Sequence, residues 1–356
     1  MENGFLNQNS SKFPKQKTVK HFKAVKYKEY LDFIIKIIIF IISIILYYYL
    51  CHKKEFIKLY KEIKNEEDVK LYMKNKTAFF YKYRLKFLKR HHISYNESNL
   101  VTFQDKLNYL LIHENPELKS DIVDKIKIHQ YSKKILGKDI CVPILKIYKS
   151  EKKINLDELP EKFVLKANHG SGWNLICKNK SKFNINIAKK ELKKWKTINY
   201  ALLRSEFQYF KVERKIFSSP YLGDKLIDYE VYCFNSHPKF ILVRKLLFQR
   251  NRTILHNYYN RDWKLTDIES GRPHIYRIPG IKIKKPKNLN LMLYYSKKLS
   301  SKFAFVRVDF YEINNTVYLS EMTFSPSNVL MKFKNESQSR YLGSLLDISK
   351  VQKKYS

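Results

Sequence analysis

The chain has 356 residues, 44% hydrophobic and 15% aromatic, which excludes a disordered chain and suffices for a domain with a substantial core. Its formal net charge of +37 raises nucleic acid and anionic membranes as partners. The lysines are scattered along the whole length, however, with no basic stripe interleaved with aromatics and no zinc-finger or helix-turn-helix spacing, so no specific nucleic-acid binding is expected.

In chain order, residues 1–30 read as a basic, disordered tail. Residues 33–50, FIIKIIIFIISIILYYYL, are apolar but for Lys36 and Ser43, and as a helix they span roughly 27 Å, close to a bilayer's hydrocarbon thickness. A single transmembrane helix is expected over 31–50, with Lys36 snorkelling and Tyr47, Tyr48 and Tyr49 forming an aromatic belt. Lysines flank it on both sides, Lys12 to Lys28 before and Lys53 to Lys70 after, so the positive-inside rule does not decide its orientation.

Residues 51–100 are expected to form a helical neck, with Phe56, Leu59, Tyr60 and Ile63 at helical spacing, followed by a linker, HHISYNES (91–98). From 101 to 136 the pattern predicts two or three short helices with a break at Asn115–Pro116. Beyond Pro160 the texture changes to short β-rich runs: FVLKA (163–167), LIC (175–177), EVYCF (230–234), FILV (240–243), FVRVDFY (305–311) and TVYLSEM (316–322). Helical stretches fall near 186–196 and 289–300. This order predicts an α+β domain over 101–356 with largely antiparallel sheets. Cys51, Cys141, Cys177 and Cys233 offer no CxxC pair and no disulfide framework, and are read as free thiols.

Two segments carry candidate chemistry. In KFVLKANHGSGWNLICKNK (162–180) a β-run ending in Lys166 is followed by a loop holding Gly170, Ser171 and Gly172 and then a second β-run. Such a hairpin tip lets backbone N–H groups approach an anion beside the lysine's charge; an ordinary hairpin has the same pattern. In FVRVDFYEINNTVYLSEMTFSPSN (305–328), Asn314–Asn315 is a turn signal between alternating strands. Val306, Val308 and Phe310 point to the core, and Arg307, Asp309 and Tyr311 to the other face. A three-residue loop would set Asp309 opposite Glu321, a pair that a divalent cation would reconcile; a two-residue loop would set them on opposite faces and end that reading.

Taken together, these segments resemble the ATP-grasp superfamily, and more closely its TupA-like branch of cell-surface polysaccharide enzymes. The likeness runs in order through TFQDKLNYLLIHENPEL (102–118), DKIKIHQYSKKILGKDICVPIL (124–145), LPEKFVLKANHGSGWN (159–174), DYEVYCFNSHPKFI (228–241), YYNRDW (258–263) and the closing hairpin. The resemblance implies two α+β lobes clamping ATP. It implies Lys125 and Lys166 on the nucleotide phosphates, and His169, Gly170, Ser171 and Gly172 in a flap over them. It implies a hinge around 216–222, with Phe217 and Ser219, along the adenine and ribose. Asp309 and Glu321 match Mg²⁺ ligands, and Arg307, with Lys166, the catalytic cations. The reaction it implies converts a carboxylate to an acyl phosphate that an amine then attacks. Ser219 stands where a hinge Glu is usual, Glu230 where Lys is, His129 where Arg is and Thr323 where a metal-binding Asn often sits. SPSN (325–328) lacks the glycine usual near the acceptor.

The expected protein is a membrane-anchored, Mg-ATP-dependent ligase acting on an acidic or amino-bearing polysaccharide or its precursor, with its catalytic domain in the cytosol because it needs ATP. A catalytically inactive basic membrane adaptor and a glycosyltransferase are the alternatives. Arg250, Arg252, Arg261, Arg272 and Arg277 are candidate contacts to an acidic glycan, and a solvated loop accounts for them equally.

Overall fold

The computed structural model describes residues 15–224, 226–248, 253–273, 275–277 and 283–351. The chain divides into two compact units, 1–70 and 71–356. Helix α1 (Lys15–Ile63) is continuous, since neither Gly nor Pro interrupts it. Residues 15–30, read from the sequence as part of a tail, are helical, and residues 1–14 lie outside the described residues. The stretch from Phe33 to Ile63 is long and apolar enough to cross a membrane by length and composition, and its large apolar side chains from Phe33 to Leu46 are mostly exposed.

After α2 (Glu66–Lys74) and α3 (Lys76–Arg90) come three short helices, α4 (Phe103–His113), α5 (Glu117–Val123) and α6 (Ile128–Leu136). The start of α4 is a capping box: Thr102 Oγ1 accepts from the Asp105 N–H at 3.2 Å, and Asp105 accepts from the Thr102 N–H at 2.9 Å. Helix α6 stops at Gly137, whose φ of 76° is the left-handed conformation a C-terminal cap needs.

Two antiparallel-rich sheets follow. The smaller has the order β1-β4-β2-β3, from β1 (Lys146–Tyr148), β2 (Phe163–Ala167), β3 (Asn174–Cys177) and β4 (Ile216–Pro220). It is backed by α7 (Ile185–Thr197), whose Ala188, Leu192 and Trp195 bury against Phe163, Leu165 and Ile216; α8 (Tyr200–Arg204) comes next in the chain.

The larger sheet has the order β10-β9-β5-β6-β7-β8. Its strands are β5 (Asp228–Phe234), β6 (His237–Phe248), β7 (Thr253–Asn260), β8 (Ile275–Tyr276), β9 (Phe305–Ile313) and β10 (Thr316–Thr323), with α9 (Leu289–Leu299) between β8 and β9. Alternation gives this sheet two unlike faces. On one, Val231, Cys233, Ile241, Val243, Val306, Val308 and Phe310 pack with Met292 and Leu299 of α9. The other face is divided along its length. At one end Tyr232, Phe234 and Phe305 meet Phe103 and Leu107 of α4 and Leu342 of α10 (Glu336–Ser344). At the other end the same strands carry charge: Glu230, Arg307 and Asp309. A buried leucine or phenylalanine contributes about 1.5–3 kcal/mol, so the apolar end fixes the sheet on which the charged end is displayed.

Candidate functional site

The C-terminal hairpin sets the site's geometry. Its loop is the two-residue Asn314–Asn315, both at positive φ (50° and 61°), the twist that suits a tight hairpin. Ile313 pairs with Thr316, and pairing runs regularly to Phe310 with Leu319. On loop length alone, Glu321 would then face away from Asp309. A bulge between Leu319 and Glu321 adds one residue, Ser320, and restores the pairing of Glu321 with Asp309. Neither loop length weighed from the sequence included this device.

Arg307, two residues before Asp309 on the same face, organises the floor. Its Nε and Nη2 donate to the two Asp309 carboxylate oxygens at 2.7 and 2.5 Å. Nη1 lies 3.0 Å from Glu230 and Nη2 3.5 Å from Glu321. Glu230 is fully buried and also contacts Arg244 Nε, while Arg244 Nη2 is 3.5 Å from Asp228. Thr323 Oγ1 accepts from Arg307 and donates to Glu321, each at 3.3 Å. Burial raises the Asp309 carboxyl well above its ordinary range, against the pull of Arg307. For Glu321 burial also works upward, but Lys125, Arg307 and Arg244 together hold it below its usual value.

The floor thus sets four carboxylates, Asp228, Glu230, Asp309 and Glu321, against two guanidinium groups, Arg244 and Arg307. That surplus of negative charge in a buried place fits a divalent cation, and Asp309 and Glu321 are the two acids on facing strands.

The opposite wall is the flap between β2 and β3. Lys125 Nζ donates to the Gly170 carbonyl at 2.7 Å and lies 3.7 Å from Glu321, joining flap to floor. Lys166 is half-buried and, among the described residues, has no ion-pair partner; burial first, then the charge of Lys125, lowers its pKa to about 8. Gly170 has no room for a side chain, because a Cβ would sit 2.7 Å from Trp173 and 2.9 Å from Tyr200. Gly172 adopts φ +74°, which a side chain would strain.

A cavity of ≈ 350 Å³ lies between flap and floor. Of the residues expected at the site, Lys125, Lys166, Ser171, Gly172, Phe217, Ser219, Asp309 and Glu321 line it. Arg307 lies beneath it, holding Asp309. Ser219 Oγ is buried without a hydrogen-bond partner. His169 is not brought to this cavity: it is buried within the smaller lobe, its Nε2 donating to the Trp195 carbonyl at 3.1 Å, and burial lowers its pKa to about 4. Gly170 contributes its carbonyl to Lys125 and does not line the cavity. Of the loop arginines, Arg250 and Arg252 lie outside the described residues. Arg277 bonds Glu269 and the Thr266 carbonyl at 3.2 and 3.0 Å.

Arg244 and Asp228 were not expected at the site. Their signal is the Asn235–Ser236 turn, both residues at positive φ. It closes the β5–β6 hairpin so that Asp228 pairs with Arg244 once a bulge at Tyr232/Cys233 is counted.

Two sheets with a lysine-bearing flap over an acidic hairpin give the architecture of a nucleotide-clamping enzyme, and residues 105–347 match the profile of the family described as TupA-like ATPgrasp. The chain belongs to the TupA-like ATP-grasp family. No protein of curated function matches it. Among solved structures, the D-alanine–D-alanine ligase of Bacillus anthracis complexed with ATP is 14% identical, covering 62% of this chain and 61% of that one at a TM-score of 0.34. The D-alanine–D-alanine ligase of Helicobacter pylori is 18% identical, covering 65% and 62% at 0.33. N5-carboxyaminoimidazole synthetase of Staphylococcus aureus complexed with ADP is 13% identical, covering 56% and 43% at 0.29. The chain spans about three-fifths of the length of the first two of these.

As an ATP-grasp protein the chain explains one of its own departures. Glu230, where a lysine is usual, is a fully buried acid between Arg307 and Arg244, so it neutralises the floor's cations. His129 lines the cavity and is held by Asp139, Nδ1 to carboxylate, at 2.7 Å.

Proposed function

We propose that this ATP-grasp protein is a membrane-anchored, Mg-ATP-dependent ligase that joins a carboxylate to an amine on a cell-surface polysaccharide or its precursor. The observation that carries the reading is the single cavity into which an unpaired lysine enters from one wall and an acid-rich hairpin from the other. Lys125 and Lys166 take the nucleotide phosphates, with the Ser171 and Gly172 backbone over them. Phe217 packs against the base, and Ser219 offers its unpartnered hydroxyl to the ribose.

Asp309 and Glu321 would hold Mg²⁺, which when bound would neutralise phosphate charge. Arg307 keeps Asp309 oriented and adds positive charge where the phosphoryl group moves. The acceptor's carboxylate oxygen bonds to the γ-phosphorus as the bond to the β-phosphate oxygen breaks, releasing ADP. The amine nitrogen then attacks the acyl carbon, inorganic phosphate leaves, and the amine loses a proton. The flap and floor supply alignment and charge compensation, the chief needs of phosphoryl transfer.

Anchoring rests on the apolar helix within Phe33–Ile63, and the need for ATP supports a cytosolic catalytic domain. The test is ADP release by the full chain in detergent, with Mg²⁺ and acidic glycan acceptors. Wild type should turn over, and Lys166→Ala should lose about 10²–10³-fold, the cost of removing one preorganised charge. Equal rates in the two proteins would refute the assignment.

A further inference from the structure

A second cavity of ≈ 390 Å³ opens beside the first and shares Ser171, Arg244 and Glu321 with it. Four guanidinium groups line it, those of Arg204, Arg244, Arg272 and Arg307. Arg244 and Arg307 are answered by the floor's carboxylates. Arg204 and Arg272 are not: among the described residues Arg204 has no ion pair, and Arg272 Nη2 only donates to the Leu330 carbonyl. The one other acid lining the cavity, Glu206, is buried, which raises its pKa to about 7 while Arg84 and, more weakly, Arg204 pull it down, so near neutral pH it carries about half a charge against the two arginines.

The wall opposite is built at a cost. Ser327, Asn328 and Val329 all have positive φ, 49°, 57° and 57°, a strained conformation for side chains and most of all for a β-branched valine. It is held by Arg84, a fully buried cation on α3. Arg84 donates to Asn328 Oδ1 at 3.1 Å and to the Asn328 carbonyl at 3.0 Å, with Nε on Asn108 Oδ1 at 2.7 Å. Clamped in this way, Asn328 keeps its side-chain Nδ2 without a partner. A buried arginine committed to fixing a strained loop marks that loop as a shaped wall rather than a passive turn.

We propose that this second cavity is the acceptor subsite and selects a polyanion: one carboxylate reaches the shared edge at Ser171 and Arg244 for activation, and a second anionic group is taken by Arg204 and Arg272. The inference rests on the ligase reading for the position of the reacting carboxylate, but its charge requirement is carried by the two arginines that have no ion pair. The second anionic group is a carboxylate or a phosphate, since guanidinium recognises both by the same forked geometry.

The test uses the full chain in detergent, saturated with a non-hydrolysable ATP analogue and Mg²⁺. It is titrated with tri-galacturonate, with fructose 1,6-bisphosphate and with uncharged maltotriose. Binding of one or both anions but not maltotriose is expected, and the anion that binds identifies the second group. Its affinity should fall by about tenfold or more in Arg204→Gln and in Arg272→Gln, with nucleotide affinity retained in both. Equal affinity for maltotriose, no binding of either anion, or anion binding unchanged in both variants would overturn the proposal. Failure of wild type to bind the nucleotide would instead strike the ligase reading.

Discussion

The two walls of the cavity between flap and floor handle charge in opposite ways. On the floor every cation is answered: Arg307 touches Asp309, Glu230 and Glu321, and Arg244 touches Glu230 and Asp228. On the flap, Lys166 is unanswered and Lys125 spends its strongest bond on a backbone carbonyl. A compensated floor is rigid and part of the fold, because breaking a buried pair exposes its partner's desolvation cost. An uncompensated flap is cheaper to hold only when an anion arrives. The contrast assigns stability to the floor and ligand response to the flap.

The largest effect should come from breaking the floor. Arg307→Ala leaves Asp309 and Glu230 buried without their main cation, and should destabilise the domain by about 3–5 kcal/mol, measured by chemical denaturation. A loss under ~1 kcal/mol would mean the network is not structural. Deleting Ser320 sharpens the point further. It removes the bulge but leaves Glu321 next after Leu319 and so still opposite Asp309, and turnover should stay within about tenfold of wild type. Glu321→Gln, which keeps the strand and removes the charge, should lower it by about 10²-fold.

That bulge also marks how far the sequence is legible. The alternation of Val306, Val308 and Phe310 against Arg307 and Asp309 is a local pattern that gives the strand, as the Asn-Asn pair gives the turn and helical spacing the short helices within 103–136. Whether Asp309 meets Glu321 depends on a single extra residue, and no side-chain pattern distinguishes Ser320 as bulged. Arg244 and Asp228 were hidden for the same reason, behind the bulge of β5–β6. His169 was expected in the flap because its motif neighbours reach the cavity; its own ring turns against Trp173 and bonds the Trp195 carbonyl, a tertiary choice invisible from a loop sequence. The polar, lysine-rich start of α1 looked like a tail, although nothing in it breaks a helix.

The smallest effect belongs to the flap without ligand. The folded-state pKa of Lys166 is lowered from 10.5 to about 8, so the unfolded chain binds more protons between these values and stability should rise with pH across that window. Because Lys166 is only half-buried, the gain is about 1–2 kcal/mol. Thermal melts at pH 8 and pH 10 should show it in wild type and not in Lys166→Met, whose other groups titrate alike. With the ATP analogue bound, phosphate keeps the lysine charged and the rise should vanish. A rise of equal size in the variant would assign it to another group.

The account depends most on the flap and floor acting on one Mg²⁺-nucleotide. Isothermal titration of the full chain in detergent with a non-hydrolysable ATP analogue, with and without Mg²⁺, asks this directly. One-to-one binding that strengthens with Mg²⁺ in wild type, and loses that metal dependence in Asp309→Asn, is the predicted result. No binding, or binding indifferent to both Mg²⁺ and the substitution, would contradict it.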